Sequence, residues 1–349
     1  MLRVPALPSN VVRELSFAGR ARPVAPSVPA IRPRDAALAI MRSLSNADVR
    51  ALAALVASPS LIASSSSPVA LLDDGWRLAT LLERREWLTA LDADPSSLIA
   101  HLARSNARQL GRYAEALWQF WFAQLPGAQV HAVGLPVKEG GAVRGEFDFI
   151  VTLPALPGVQ HLETGYKFFL HAPTDADESR CIGPNPADRL DRKWRHMVDA
   201  QLPLSQNPLG RAALPSSLAN MPITPRACLQ GYIFYPFGND KPRLTKLAPD
   251  HAHGWWSRFD KAISRPPWTT LASAWTALPK LRWIAPARVA KAEASPMSGD
   301  LCQARLAAHF SSSRQAQLLG GLACDRDGHW HETVRVFIVH PDWPSTDSG

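Results

Sequence analysis

The sequence predicts an α/β fold built from a long helix, three strands, a second helix and a fourth strand. The first observation is segment 107–125, whose apolar residues recur with the helical period. The second is a change to strand-like patterns in the three segments that follow, which are 128–137, 142–153 and 159–172. The third is a helix over 185–201, opened by Asn-Pro, and then a strand over 227–236. This order is typical of an α/β core.

Helices precede this core and strands follow it. A capping pattern and apolar spacing predict helices that begin at Ser45 and that cover 75–91 and 96–104. Further strands are expected at 280–285, 315–323 and 330–340, and the last two are expected to pair as a hairpin. The expected organisation is one elaborated domain over 45–349. Its core covers about 107–240, and a C-terminal α/β addition covers about 241–343.

Positive charge is concentrated at the N-terminus. The chain has 38 Lys and Arg against 30 Asp and Glu, a net charge of +8, and residues 1–35 hold six Arg against one Glu and one Asp. The charge of the remaining chain is therefore mild, which is compatible with a phosphate-binding cleft but does not require one. Residues 1–44 are expected to be a disordered extension. Met41 is an alternative start to Met1.

Several protein classes are disfavoured by what the sequence lacks. The four Cys have no C-x-x-C spacing, which argues against a structural zinc site and against a disulfide scaffold. No apolar run is long enough to span a bilayer, so no membrane partner is expected. The phosphate-binding pattern G-x-x-x-x-G-K-[ST] and the serine-hydrolase pattern G-x-S-x-G are also missing. We expect a cytoplasmic protein.

Side chains alternate along a strand, so the two central strands can be divided into faces. On 142–153, one face carries Arg144, Glu146, Asp148 and Ile150. The opposite face carries Val143, Gly145, Phe147, Phe149 and Val151. On 159–172, one face carries His161, Glu163, Gly165 and Lys167. If these strands pair as a hairpin, two acids of one strand meet an acid and a lysine of the next.

Acids and a lysine in this arrangement have a chemical use in a metal-dependent phosphodiesterase, although across a hairpin they more often form a solvated face. Carboxylates of neighbouring strands can hold Mg²⁺ (or Mn²⁺), which keeps several waters and needs only one or two protein carboxylates. The metal makes a bound water nucleophilic, and a lysine beside it can orient that water. Asp148 with Glu163 or Glu146 is the expected ligand set, and Glu115 can add a carboxylate from the helix. On a solvated face the same residues would form only weak ion pairs.

Two segments resemble the core of the PD-(D/E)XK (restriction-endonuclease-like) nucleases, namely GEFDFI at 145–150 and HLETGYKFFL at 161–170. Over a longer range the chain resembles a bacterial family known as domain of unknown function eighteen-fifty-three, which is assigned to that superfamily. The matching stretches run from LAALVASPSLI to VRVFIV, about 52 to 339. The resemblance implies a central mixed sheet flanked by helices. It also implies that Glu115 is the helix glutamate, Asp148 a metal ligand and Lys167 the motif lysine.

The spacing between acid and lysine departs from the superfamily pattern. The usual motif has them two residues apart, about 7 Å along a strand, whereas Glu163 and Lys167 are four apart, about 13 Å. Gly165 stands where an acid is expected. Three interpretations remain open: a bulge at Gly165 shortens the gap, Glu146 supplies the missing carboxylate, or the site is degenerate.

A basic stripe on the helix after the core is a candidate nucleic-acid contact. Arg189, Arg192, Lys193 and His196 share one face of the 185–201 helix, and such a stripe can bind phosphates, although many surface helices show one. The function expected from these observations is Mg²⁺-dependent hydrolysis of phosphodiester bonds in DNA or RNA. The alternative is a catalytically inactive nuclease fold that binds nucleic acid or a protein partner. A bulge at Gly165 would favour the enzyme, and a regular strand would favour the inactive module.

Overall fold

A mixed β-sheet of ten strands lies at the centre of the fold. The computed structural model describes residues 32–344, apart from 175, 176, 178, 219, 264 and 291–295. The strands are β1 (Gln129–Glu139), β2 (Ala142–Thr152), β3 (Val159–His171), β4 (Cys181–Ile182), β5 (Ile223–Pro236), β6 (His253–Arg258), β7 (Ala274–Ala277), β8 (Arg288–Val289), β9 (Gln317–Cys324) and β10 (Trp330–Val339). Their order is β1-β2-β3-β5-β6-β10-β9-β7, with β4 beside β3 and β8 beside β10. The pairs β3–β5, β5–β6 and β6–β10 are parallel, and the other pairs are antiparallel.

Helices lead into this sheet and pack against it. They are α1 (Pro33–Ser43), α2 (Ala47–Ala57), α3 (Asp74–Glu83), α4 (Arg85–Ala93), α5 (Ser96–Arg104), α6 (Leu110–Gln124), α7 (Leu190–His196), α8 (Pro208–Ala213) and α9 (Gly299–Phe310). The predicted mixed α/β architecture, a central sheet flanked by helices, is confirmed at this level. Among the described residues, no helix is both long and apolar enough to cross a membrane.

Helix α6 is seated on the sheet by aromatic side chains, as its helical period predicts. Trp118 and Phe122 stack with ring centroids 5.0 Å apart, and Phe122 meets the edge of Phe149 on β2 at 5.5 Å. All three side chains are buried. Glu115 lies at the border of this apolar face, where its side chain is 34% exposed.

The predicted hairpin of the two central strands is confirmed. β2 and β3 pair antiparallel, with Phe149 opposite Leu162 and Ile150 opposite His161. β3 then pairs in parallel with β5 from Val159 to Leu170, and the register does not shift at Gly165. The strand is therefore regular at the position where a bulge would have shortened the gap between acid and lysine.

Three predicted elements differ in the structure. The helix predicted over 185–201 begins only at Leu190, because the Asn185 side chain accepts a hydrogen bond from the Ala187 N–H in a turn instead of capping a helix. Its last part, Met197–Gln201, is a π-helical turn. The strand predicted at 280–285 is wrong, since Lys280–Arg282 forms a 3₁₀ turn after Pro279. The helix predicted over 75–91 is divided at Arg84 into α3 and α4.

The N-terminal segment predicted as disordered, 1–44, ends in a helix. α1 has Ala37 and Ile40 buried, and Arg34 forms ion pairs with Asp74 and Asp250. Its apolar stripe is short, which is why the sequence pattern did not indicate it. Residues 1–31 lie outside the described part of the chain. The described residues from Pro33 onward form one compact unit, which includes the predicted core and C-terminal addition.

Candidate functional site

The alternation of side chains between the two faces of β2 is interrupted at Asp148. Phe147 and Ile150 pack in one cluster, whereas Phe149 packs on the α6 side, so the predicted grouping of Phe147 with Phe149 is wrong. This break turns Asp148 towards β3. Its Oδ2 accepts hydrogen bonds from the Thr164 N–H at 2.8 Å and from the Thr164 hydroxyl at 3.2 Å. Burial and the nearby charge of Glu163 raise the pKa of Asp148 to about 6.

Glu163 is the most enclosed acid of the site. Its side chain is fully buried, and its Oε1 lies 2.7 Å from His161 Nε2 and 3.4 Å from the Asp148 backbone nitrogen. Its Oε2 accepts a hydrogen bond from the side-chain amide of Gln201. Burial raises the pKa of Glu163 to about 8, although the Asp148 N–H and the charge of Lys193 act in the opposite direction. Below about pH 8 this acid is therefore mainly protonated.

His161 holds Glu163 by a hydrogen bond and not by charge. Burial lowers the pKa of His161 to about 4, so the ring is neutral at physiological pH. Its Nδ1 lies 3.0 Å from the Ser205 hydroxyl, and Phe147 meets the ring edge to face at 4.8 Å. A neutral imidazole has one donor and one acceptor nitrogen, so it can bind either the protonated or the ionised form of Glu163.

Lys193 brings a cation to the two acids from helix α7. If Gly165 carried a Cβ, that atom would lie 3.5 Å from the Lys193 Cε. Lys193 Nζ donates to the Gln201 side-chain oxygen at 3.0 Å, so Gln201 bridges Lys193 and Glu163. Burial lowers the pKa of Lys193, and the charges of Asp148 and Glu163 oppose this shift. Lys193 therefore belongs to the acidic cluster, although the sequence placed it on a phosphate-binding stripe.

Glu115 and Glu146 form the more exposed edge of the cluster. Arg112 Nη1 lies 3.1 Å from a Glu115 carboxylate oxygen and 3.7 Å from a Glu146 carboxylate oxygen. The pKa of Glu115 is raised by burial and by the charge of Asp148, which indicates that these two acids are close enough to interact. Glu146 is 41% exposed and shares Arg112 with Glu115. Glu146 therefore lies at the rim, and Glu163 occupies the buried position.

The other predicted basic residues point to different partners. Lys167 Nζ lies 3.5 Å from Asp188, and Arg189 forms ion pairs with Asp191 at 2.9 Å and with Asp177 at 3.7 Å. Arg192 is exposed on the surface of α7. The predicted stripe of Arg189, Arg192 and Lys193 is thus divided among three environments.

Asp148 and Glu163 are the two acids of this cluster that could hold a divalent cation of the Mg²⁺ type. Two neighbouring carboxylates with raised pKa values gain from a positive charge beside them. In the described part of the chain, no group of three or more His, Cys, Asp or Glu is placed to hold a metal ion. Mg²⁺ is commonly bound by one or two carboxylates and its own waters, so a two-carboxylate site meets its needs.

Sequence reasoning missed Gln201, assigned His161 no role in the site, and placed Lys193 on a separate basic stripe. Strand alternation did place His161 on the face of Glu163, which was the available signal for their contact. Gln201 reaches the acids from a π-helical turn, and such turns have no simple sequence period.

The fold and this cluster define a mixed α/β protein with a buried acid, a half-buried acid and a half-buried lysine at the central hairpin. A family model described as a domain of unknown function, DUF1853, matches residues 50–339, which is most of the chain. The chain belongs to this family. No curated protein and no solved structure matches the chain.

Proposed function

We propose that the protein is a Mg²⁺- or Mn²⁺-dependent phosphodiesterase that acts on nucleic acid. The observation that carries the proposal is the position of Lys193, a half-buried lysine beside two carboxylates of neighbouring strands. Acids on neighbouring strands with an adjacent lysine are the elements expected of a PD-(D/E)XK nuclease. This proposal replaces Lys167, which pairs with Asp188, by Lys193.

Each residue of the cluster has a separate role in this proposal. Asp148 and Glu163 would hold the metal, which when bound supplies a more acidic water and stabilises charge on the phosphate. Lys193 would offset negative charge that develops on the phosphate and help to orient the attacking water. Glu115 adds negative charge at the open side of the pair, and Arg112 limits that charge by its ion pair.

The test compares the same substitution at two lysines. Lys193→Met should abolish cleavage of DNA and RNA substrates while leaving Mg²⁺ or Mn²⁺ binding measurable by calorimetry. Lys167→Met is the matched comparison and should still cut, because Lys167 pairs with Asp188 and acts on Lys193 only through its charge. Asp148→Asn, which keeps the side-chain shape and removes the charge, should weaken metal binding and cleavage together.

Two results would refute the proposal. One is a parent protein that cuts neither single- nor double-stranded DNA or RNA with either metal. The other is cleavage that survives both Asp148→Asn and Lys193→Met. If cleavage were lost in Lys167→Met and kept in Lys193→Met, the enzyme would stand, and Lys167 would be its lysine.

A second candidate is a catalytically inactive nuclease fold that binds nucleic acid or a protein partner. The observation in its favour is that both carboxylate oxygens of Glu163 are engaged by His161 and Gln201. The regular course of β3 at Gly165 also favours it. Binding of nucleic acid without metal uptake or cleavage, unchanged in Asp148→Asn, would support this candidate.

A further inference from the structure

A cavity of about 720 Å³ opens along a face of α7 different from the one that carries Lys193. Leu190 and Trp194 of α7 and Val198 of the following π-helical turn form one wall. Segments 62–68 and 243–247 contribute residues to the other walls. The volume lies within the range of roughly 300–1,000 Å³ that is usual for sites of small ligands.

The floor of the cavity is apolar and contains an aromatic ring. Trp194 is partly buried and packs against a cluster that includes Leu190, Leu247 and Cys181, all of which line the cavity. An indole that lines a cavity is suited to stack on a planar ring. Burial raises the pKa of the Cys181 thiol to about 12, so this cysteine acts as an apolar wall and not as a nucleophile.

The rim of the cavity carries more cations than anions. Its cations are Arg180, Arg195, Arg243 and Lys246, and its acids are Asp177, Asp191 and Asp199. Arg189 forms ion pairs with the first two of these acids, at 3.7 Å and 2.9 Å. The rim is therefore suited to an anionic group, for which Arg in particular offers strong, directional hydrogen bonds.

We propose that this cavity binds a nucleotide. The base would lie against Trp194, and the phosphate would be bound by Arg195, Arg243 and Lys246. A planar ring joined to an anionic group satisfies both the apolar floor and the cationic rim, which neither a free phosphate nor an uncharged ring does. A free mononucleotide and a nucleotide within a strand share this chemistry. The proposal does not depend on cleavage at Asp148 and Glu163.

The test uses the full chain without added metal and measures binding by calorimetry. The probes are AMP, adenosine, inorganic phosphate and a short single-stranded DNA. AMP should bind more tightly than adenosine and phosphate. The double substitution Arg195→Gln and Lys246→Gln should weaken AMP binding by about tenfold or more, because both side chains are exposed at the rim and their loss should not disturb the core.

The matched pair is Arg195→Gln, which removes one cation of α7 at the cavity and should weaken AMP binding, and Arg192→Gln, which removes the same charge from the same helix outside the cavity and should leave AMP binding unchanged. If the DNA binds and AMP does not, and the double substitution weakens DNA binding, the site is supported. The nucleotide that it binds is then part of a nucleic-acid strand. Three results would overturn the proposal. They are no binding of either AMP or the DNA, an equal effect of the double substitution and of Arg192→Gln on AMP binding, and binding of inorganic phosphate as tight as that of AMP. Repeating the titration with Asp148→Asn separates this outcome from failure of the nuclease proposal, because AMP binding should be unchanged there.

Discussion

Lys193 lies directly beside Gly165, with its Cε 3.5 Å, an ordinary contact distance, from the position of a Cβ on that glycine. The usual motif has its lysine two residues after the acid. Gly165 holds that position relative to Glu163. β3 is regular at this point, so the distance from Glu163 to Lys167 is not shortened by a bulge. The cation that lies beside Glu163 instead comes from helix α7.

Replacing Gly165 tests whether the close approach of Lys193 to β3 matters for cleavage. In Gly165→Val, the added side chain would meet Leu229, 3.0 Å from the new Cβ, and would displace the stem of Lys193. We expect cleavage to fall by about tenfold or more, since small displacements of a catalytic group are costly. Metal binding at Asp148 and Glu163 should change less. The measurement is cleavage and metal titration side by side with a melting curve, and full activity in a folded variant would contradict the expectation.

The raised pKa values of Asp148 and Glu163 predict a specific pH dependence. Their folded-state values are about 6 and about 8, above their ordinary values of 3.8 and 4.5. The folded protein therefore binds these protons more tightly than the unfolded chain, and their stabilising contribution is complete below about pH 4. It is lost as the pH rises through 6 and then 8. Without metal, the free energy of unfolding should fall over this window.

Metal binding should follow the opposite trend, because the cation competes with these protons. Affinity for Mg²⁺ or Mn²⁺ is expected to rise between about pH 6 and pH 8. Chemical denaturation and calorimetry across this range provide the measurements. The Glu163→Gln variant, which cannot titrate at this position, should flatten both curves at their upper end. Parallel curves for the variant and the parent would show that Glu163 does not titrate there.

The elements of the core could be predicted from sequence because their periods are strong. The aromatic stripe of α6 and the alternation of β3 are both borne out by the structure. The start of α7 could not be predicted, because Asn185 has the sequence of a helix cap but uses its side chain in a turn. The prediction of a strand at 280–285 is wrong. Trp283 and Ile284 are buried, as a strand would bury them, but they follow a 3₁₀ turn.

The site was only partly predictable for a related reason. Alternation along β3 placed Glu163 correctly with His161, but alternation along β2 fails at Asp148, where two apolar clusters meet. A local break of this kind depends on tertiary packing and leaves no period in the sequence. Lys193 is 30 positions from Glu163 in the chain, so its approach depends on where α7 packs.

Gln201 is expected to set the ionisation of Glu163. Its amide donates to Glu163 and its oxygen accepts from Lys193, so Gln201→Leu removes both contacts and keeps a similar size. Loss of a donor to the carboxylate should raise the pKa of Glu163 further. The pH at which metal binding reaches half its maximum should therefore move upward. Gln303→Leu, a change of the same kind at a buried residue that donates to the backbone carbonyls of Asp260 and Ile263, is the control, and equal midpoints in both variants would exclude this role.

Phe122 links the stability of the core to the geometry of the site. Its ring is buried between Trp118 and Phe149, and the same helix carries Glu115 about two turns before Phe122. Phe122→Ala should lower the free energy of unfolding by about 3–5 kcal/mol, because it removes a fully buried aromatic side chain and leaves a cavity. Gln119→Ala, a truncation at a less buried position of α6, should cost much less.

The milder Phe122→Leu tests whether this packing also positions Glu115. A leucine fills part of the space, so the variant should fold, while α6 settles closer to β2 and shifts Glu115 relative to Asp148. Because the charge of Asp148 helps to raise the pKa of Glu115, that shift should change the pH dependence of metal binding. Chemical denaturation and metal titration of the same samples give both quantities. A destabilised variant with an unchanged metal profile would place Glu115 outside the functional cluster, and the site would then rest on Asp148, Glu163 and Lys193.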